Sequence, residues 1–126
     1  MSPAEYLVAV KESILGDSRV ERFSVIRERV SVADAHLRAT VVFADRSQLE
    51  FSEYVQRTPD GRLEVVTYSY HWASQEDHLI RRWDNTPHYP DLPGFPHHIH
   101  DGADNSVAPG RALNILDVLA EILDHM

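Results

Sequence analysis

No cysteine occurs in the 126 residues, so neither a disulfide nor thiolate chemistry is available to this chain. Lysine is almost missing as well. Lys11 is the only one among 12 basic side chains, and arginine, which favours planar bidentate pairing, supplies the rest. No apolar run approaches the roughly 20 residues that span a bilayer. No basic flank followed by an apolar stretch opens the chain, so neither a membrane role nor a secretory signal is expected, and the expected location is cytoplasmic. Net positive charge is lacking too. The formal charge is −8, the wrong sign for tight, sequence-independent binding to a phosphate backbone. That balance suits a basic protein partner and leaves room for an RNA-cutting enzyme with a local basic site. There is no Gly-rich phosphate loop, no Ser-His-Asp spacing and no Walker-type motif.

What the chain does have is punctuation. The length fits a single domain over residues 1–126. Ser2-Pro3-Ala4-Glu5 has the form of a capping box with proline in the first turn, and Leu7, Val10 and Ile14 follow at helical spacing up to Gly16. Residues 20–31 read as a strand with one wet face. Leu37, Ala39, Val41 and Phe43 alternate with other residues at a period of two, and Leu49, Phe51 and Glu53 share one face of the next strand. Pro59-Asp60-Gly61 is a hairpin turn. The Leu63–Trp72 run is rich in β-formers, and His78 to Trp83 returns from a turn at Ser74–Asp77. Gly102 to Ser106 reads as a flexible spacer. Asn114 and Asp117 can cap a last helix striped with Ile115, Leu116, Leu119, Ile122 and Leu123. The expected fold is α+β: an antiparallel five-stranded meander sheet, an N-terminal and a C-terminal helix packed on it, and a long Pro/His-rich loop.

That loop, Trp83 to Asp101, is the most informative stretch. It holds four of the seven prolines, spaced three apart at Pro87, Pro90, Pro93 and Pro96, and four of the eight histidines. Each proline removes a donor and fixes φ, so neither helix nor strand is expected to run through it. Trp83, Tyr89, Leu92, Phe95 and Ile99 argue for an ordered loop that presents imidazoles. His98 and His100 point to one face if the chain is extended there, and His88 can fold back onto them. Two or three imidazoles with a carboxylate such as Asp84 or Asp101 would suit Zn, Fe or Ni. Without metal, two histidines can share acid and base roles in cleavage of RNA by its own 2′-hydroxyl, with Arg82 or Arg81 as the cation at the phosphate. The candidate catalytic set is therefore His88, His98, His100, Arg82 and Asp84. No resident cofactor is expected, the alternative being a divalent transition metal held by His88, His98 and His100. Bland readings stand beside these: loop histidines bonding exposed carbonyls, Asp84-Asn85 closing a turn, and Trp83 packing in the core. Glu53, alone among apolar neighbours, needs a partner, and Arg81 on a nearby strand is the expected one.

Ser52-Glu53-Tyr54, Tyr68-Ser69-Tyr70-His71-Trp72, Arg82-Trp83-Asp84-Asn85-Thr86-Pro87-His88 and Phe95-Pro96-His97-His98-Ile99-His100, taken together, resemble the TumE-like toxins of toxin–antitoxin modules. The resemblance covers about residues 20–123. Tyr89 stands where a second histidine after His88 would be expected, and Glu76-Asp77-His78 replaces an Asp-Gly type turn. The resemblance implies a growth-inhibiting toxin neutralised by a cognate antitoxin, often a DNA-binding protein. RNA cleavage follows only by analogy with other small toxins. A binding toxin that turns over no substrate, and a His-ligated metal enzyme, are the alternatives. The apolar and acidic surface of the last helix (Asp117, Glu121, Asp124) is the expected antitoxin contact, and self-association into a homo-oligomer is a further partner to test.

Overall fold

The computed structural model describes residues 1–126. Helix α1, Pro3–Leu15, starts at the capping box, where Glu5 N–H donates to Ser2 Oγ (3.1 Å) and Ser2 N–H donates to Glu5 Oε1 (2.9 Å). Strands β1 (Val20–Val30), β2 (Asp34–Phe43), β3 (Gln48–Arg57), β4 (Leu63–Ala73), β5 (Leu79–Asp84), β6 (His98–Asp101) and β7 (Ser106–Pro109) follow, and helix α2, Ile115–Leu123, closes the chain. All seven strands form one sheet in sequence order, each antiparallel to the last.

The sheet therefore has seven strands where the sequence predicts five. The extra pair comes from the end of the Pro/His-rich stretch. After Pro96 no proline intervenes until Pro109, so the backbone donors of residues 97–108 are free to pair. Ile99 settles opposite Trp83, and Ala108 opposite Ile99. The presumed flexible spacer is the hairpin turn between β6 and β7. There Asp101 Oδ1 accepts from Ala103 N–H (2.9 Å), and Asp104 Oδ1 accepts from Ser106 N–H (3.0 Å). The irregular loop shrinks to residues 85–97.

Both helices lie on one face of the sheet. Tyr6, Leu7, Val10 and Ile14 of α1 and Ile115, Val118, Leu119, Ile122 and Leu123 of α2 pack on Leu37, Val41, Leu49, Phe51, Tyr70, Trp72 and Trp83. Each such side chain contributes about 1.5–3 kcal/mol by leaving water. The apolar stripe of α2 is consumed here, while its acidic residues Asp117, Glu121 and Asp124 stay exposed. Edge strand β1 departs from expectation in the other direction. It is exposed along nearly its whole length, including Val25, Ile26 and Val30.

Glu53 does not pair with Arg81. Its carboxylate accepts from the Tyr6 hydroxyl, from the Tyr70 hydroxyl (2.5 Å) and from Ile115 N–H at the start of α2 (2.8 Å). The group is 4% exposed, and burial pushes its pKa up against the pull of those three donors. Burial and the adjacent carboxylate also push the Tyr6 and Tyr70 hydroxyls well up. Arg81 lies over the Trp83 ring (5.8 Å) and reaches Glu121 (3.6 Å) and Asp101 (4.0 Å). Phenols and a helix N-terminus are the lower-cost solution for a buried carboxylate, because they add no second charge to desolvate.

Candidate functional site

The second face of the sheet carries no helix, and its side chains fall into cross-strand rows. One row runs Glu50, His71, Arg82, His100; the next runs Arg38, Ser52, Ser69, Asp84, His98. Period-two alternation along β4, β5 and β6 sends these residues to the open side while Tyr70, Trp72, Trp83 and Ile99 go to the core. The loop 85–97 folds over one end of the rows.

Asp84 is the hub. Its Oδ2 accepts from Arg82 Nε at 2.9 Å, and its Oδ1 accepts from Thr86 N–H at 3.1 Å. His98 Nε2 lies 2.9 Å from Oδ1, and His100 Nε2 lies 3.8 Å from Oδ2. Burial works to raise the Asp84 pKa, but the bonds from Arg82 and Thr86 and the charges around it outweigh burial and hold it below the usual carboxylate range. The carboxylate is thus ionised at neutral pH. His98 is 1% exposed, and its Nδ1 faces the Pro96 carbonyl at 2.9 Å. A carbonyl only accepts, so Nδ1 carries the proton and Nε2 is turned toward Asp84. Yet Nε2 makes no aligned hydrogen bond, despite its distance to Oδ1.

His100 is the accessible imidazole of the group. Burial holds its pKa below the ordinary value, with the charge of Asp84 opposing, so the ring stays neutral more readily. Its ring sits 4.9 Å from that of His98, and Tyr89 covers both edge-on, at 5.1 Å from His98 and 6.1 Å from His100. On the other side of Arg82, His71 Nδ1 accepts from Arg82 Nη1 at 3.3 Å, which leaves the ring proton on Nε2. Between these rows lies a depression of about 270 Å³ lined by Arg38, Glu50, Phe51, Ser52, Ser69, His71 and Arg82. The face as a whole is basic although the chain is acidic. Arg27, Arg29 and Arg38 surround His36, whose pKa is lowered first by burial and then by their charges. A larger cavity, about 340 Å³, lies on the helix side by Trp83, Ile99 and Asp117, away from this chemistry.

Of the sequence-predicted residues, Asp84, His98, His100 and Arg82 come together. His88 lies at the edge of this group, exposed, with its ring 6.5 Å from that of His98. His98 is too buried to reach a substrate directly. Asp101 faces the helix side with Arg81, so it joins no imidazole. His97 turns away from His98 and shares a 2.8 Å hydrogen bond with the Tyr68 hydroxyl, itself pushed up to about 12 by burial and by Asp84. His71, not among the candidates read from the sequence, stands beside Arg82. The signal was present in the β4–β5 hairpin, whose register sets His71 opposite Arg82.

A sequence model of the family described as toxin TumE matches residues 9–126. No curated protein and no solved structure matches the chain.

Proposed function

The chain belongs to the toxin TumE family, and from that premise we propose that it arrests growth as an endoribonuclease working on the helix-free face of its sheet. The observation that carries this reading is the row His71–Arg82–His100, two imidazoles flanking a guanidinium on three adjacent strands. Neighbouring strands are ~4.8 Å apart, so the two histidine backbones are roughly 10 Å apart, room for one phosphodiester and its two ester oxygens.

In this reading Arg82, with Arg38 across the depression, neutralises the phosphate. His71 Nε2–H donates to a phosphate or leaving oxygen. The nucleophile is activated at the Asp84–His98–His100 cluster on the opposite side. The 2′-oxygen forms a bond to phosphorus as its proton passes to the cluster. The bond from phosphorus to the 5′-oxygen breaks, and that oxygen takes a proton from water while His71 Nε2–H stays hydrogen-bonded to the phosphate. The products are a 2′,3′-cyclic phosphate and a 5′-hydroxyl. Charge stabilisation at the phosphate and proton transfer each supply factors of about 10² or more.

The reading includes neutralisation by a cognate antitoxin of DNA-binding type. Edge strand β1 supports a docking place, since it offers an unpaired backbone edge with Val25, Ile26 and Val30 exposed, and an extended segment can add there as a further strand.

The test is induction of this protein in a bacterial host, beside Arg82→Ala and His71→Ala variants of matched expression, with RNA ends mapped. Arrest by the wild type, fragments ending in cyclic phosphate, and a loss of at least about 100-fold in cleavage by purified Arg82→Ala support the reading. Arrest with intact RNA would overturn it.

A further inference from the structure

We propose that Asp84, His98 and His100 hold a divalent transition-metal ion. One nitrogen from each imidazole and one carboxylate oxygen lie within 4.8 Å of one another. Ligands at ~2.1 Å from a tetrahedral ion sit roughly 3.4 Å apart, so side-chain shifts of about an ångström complete the set. The separations of 2.9 and 3.8 Å from Asp84 to His98 and His100 already bracket that spacing.

The independent observation is His98. It is wholly buried, its Nδ1–H is committed to the Pro96 carbonyl, and its Nε2 has no hydrogen-bond partner. When the ring is neutral, this leaves the Nε2 lone pair facing a carboxylate oxygen 2.9 Å away. Two electron pairs meeting in a dry site repel. A cation between them turns the repulsion into two bonds. The rest of the shell fits that role. Metal-bound histidines commonly donate their other N–H to a carbonyl or carboxylate, as His98 does, and ligating carboxylates are themselves hydrogen-bonded, as Asp84 is by Arg82 and Thr86.

The ligand set also says which ion. The Arg82 guanidinium opposes any cation, so ligand strength rather than net charge must hold it. Two imidazoles with one carboxylate select zinc or its first-row neighbours and disfavour magnesium and calcium, which want oxygen. His100 is partly exposed, so the open coordination positions face the groove. The proposal refines the cluster's part in the ribonuclease reading: Asp84, His98 and His100 would hold the ion, which would supply Lewis acidity toward the attacking hydroxyl in place of a free imidazole. It does not need that reading in order to be tested.

Chelator-stripped protein is titrated with zinc chloride and, separately, manganese and magnesium chloride, by calorimetry and thermal melting. One zinc per chain is expected, with Tm raised by roughly 10 °C at 100-fold excess over Kd. His100→Ala, at a partly exposed position that tolerates truncation, weakens zinc at least 10-fold, and Asp84→Asn does likewise. His88→Ala and His97→Ala leave it unchanged. Bound cobalt gives the visible bands of a low-symmetry N/O site, and these are lost in His100→Ala. No binding up to millimolar zinc, or binding lost in His88→Ala and kept in His100→Ala, overturns the proposal. Stoichiometric binding without RNA cleavage keeps the metal site and overturns the ribonuclease reading instead.

Discussion

Glu53 offers the sharpest check on how this core is held. Three donors converge on its carboxylate: the Tyr6 hydroxyl on Oε1, and the Tyr70 hydroxyl and Ile115 N–H on Oε2. Glu53→Ala strands all three in an apolar interior and opens a hole. A buried group left without its partner costs ~1–3 kcal/mol, so the loss is about 4 kcal/mol or more. For a chain of this length ~1 kcal/mol shifts Tm by about 4 °C, giving a fall of roughly 15 °C. Glu53→Gln should behave differently. The amide oxygen can stay with Tyr70 and Ile115, and the amide nitrogen can donate to a Tyr6 hydroxyl that rotates its proton away. No donor is stranded and a buried charge is removed, so Tm moves by less than ~4 °C. The pH dependence gives the sign. Burial raises the Glu53 pKa in the fold, so its favourable contribution is complete below the unfolded value and is lost as pH rises through the folded value. The glutamine variant lacks that loss, and its stability relative to wild type improves from pH 4 to pH 8. Thermal melts across that range decide the matter. A Gln variant as damaged as the Ala variant would show that the negative charge, not the pattern of donors, holds α2 to the sheet.

Three further variants probe the scaffold. Trp83 is 2% exposed and packs between the sheet and the helices, so Trp83→Ala should cost about 3–5 kcal/mol, read as a lowered denaturant midpoint at unchanged slope. Gly102→Ala places a methyl group 1.7 Å from the Leu79 carbonyl oxygen, beside the Gly102 N–H bond to Ile80, and should cost roughly 2–3 kcal/mol by dislodging β6 from β5. Gly61→Ala, with φ +84° but open space around it, should cost only about 1 kcal/mol, and equal losses at the two glycines in thermal melts would refute the steric argument.

Both helices were legible because their signals are local. The Ser2–Glu5 and Asn114–Asp117 capping boxes form as their spacing predicts. Strands β2, β3 and β4 were legible because an apolar face against the core writes its period into them, and β1 and β5 because β-forming residues stand between turns. The last two strands were not. His98–Asp101 and Ser106–Pro109 are four residues each, too short to show a period, and histidine and aspartate are poor advertisements for a strand. Their pairing is decided by what lies opposite, Trp83 for Ile99 and Asp84 for His98, which is a tertiary fact. The same reason explains the site. Asp84, His98, His100 and Arg82 could be nominated by residue type, but the place of His71 beside Arg82 depends on register. The Glu53 partner was missed because phenols and a distant helix terminus leave no charge pattern to read.

The spacing of prolines in the loop then acquires a physical purpose. Bringing His98 back beside Asp84 closes a loop over residues 85–97. Closing such a loop costs roughly 2 kcal/mol in chain entropy. A proline at a compatible position removes about 0.4–1 kcal/mol of that kind of cost by restricting the unfolded chain. Pro87, Pro90, Pro93 and Pro96 together can therefore offset an amount of the same size as the closure itself. The restriction would be wasted on a loop that only connected two strands, because β5 and β6 could pair through a short turn. It is matched to a loop that buries His98 under Tyr89 and fixes its Nδ1 on the Pro96 carbonyl. Stiffness upstream and a committed tautomer downstream both act on one atom, His98 Nε2, the one buried side-chain nitrogen or oxygen left without a hydrogen-bond partner.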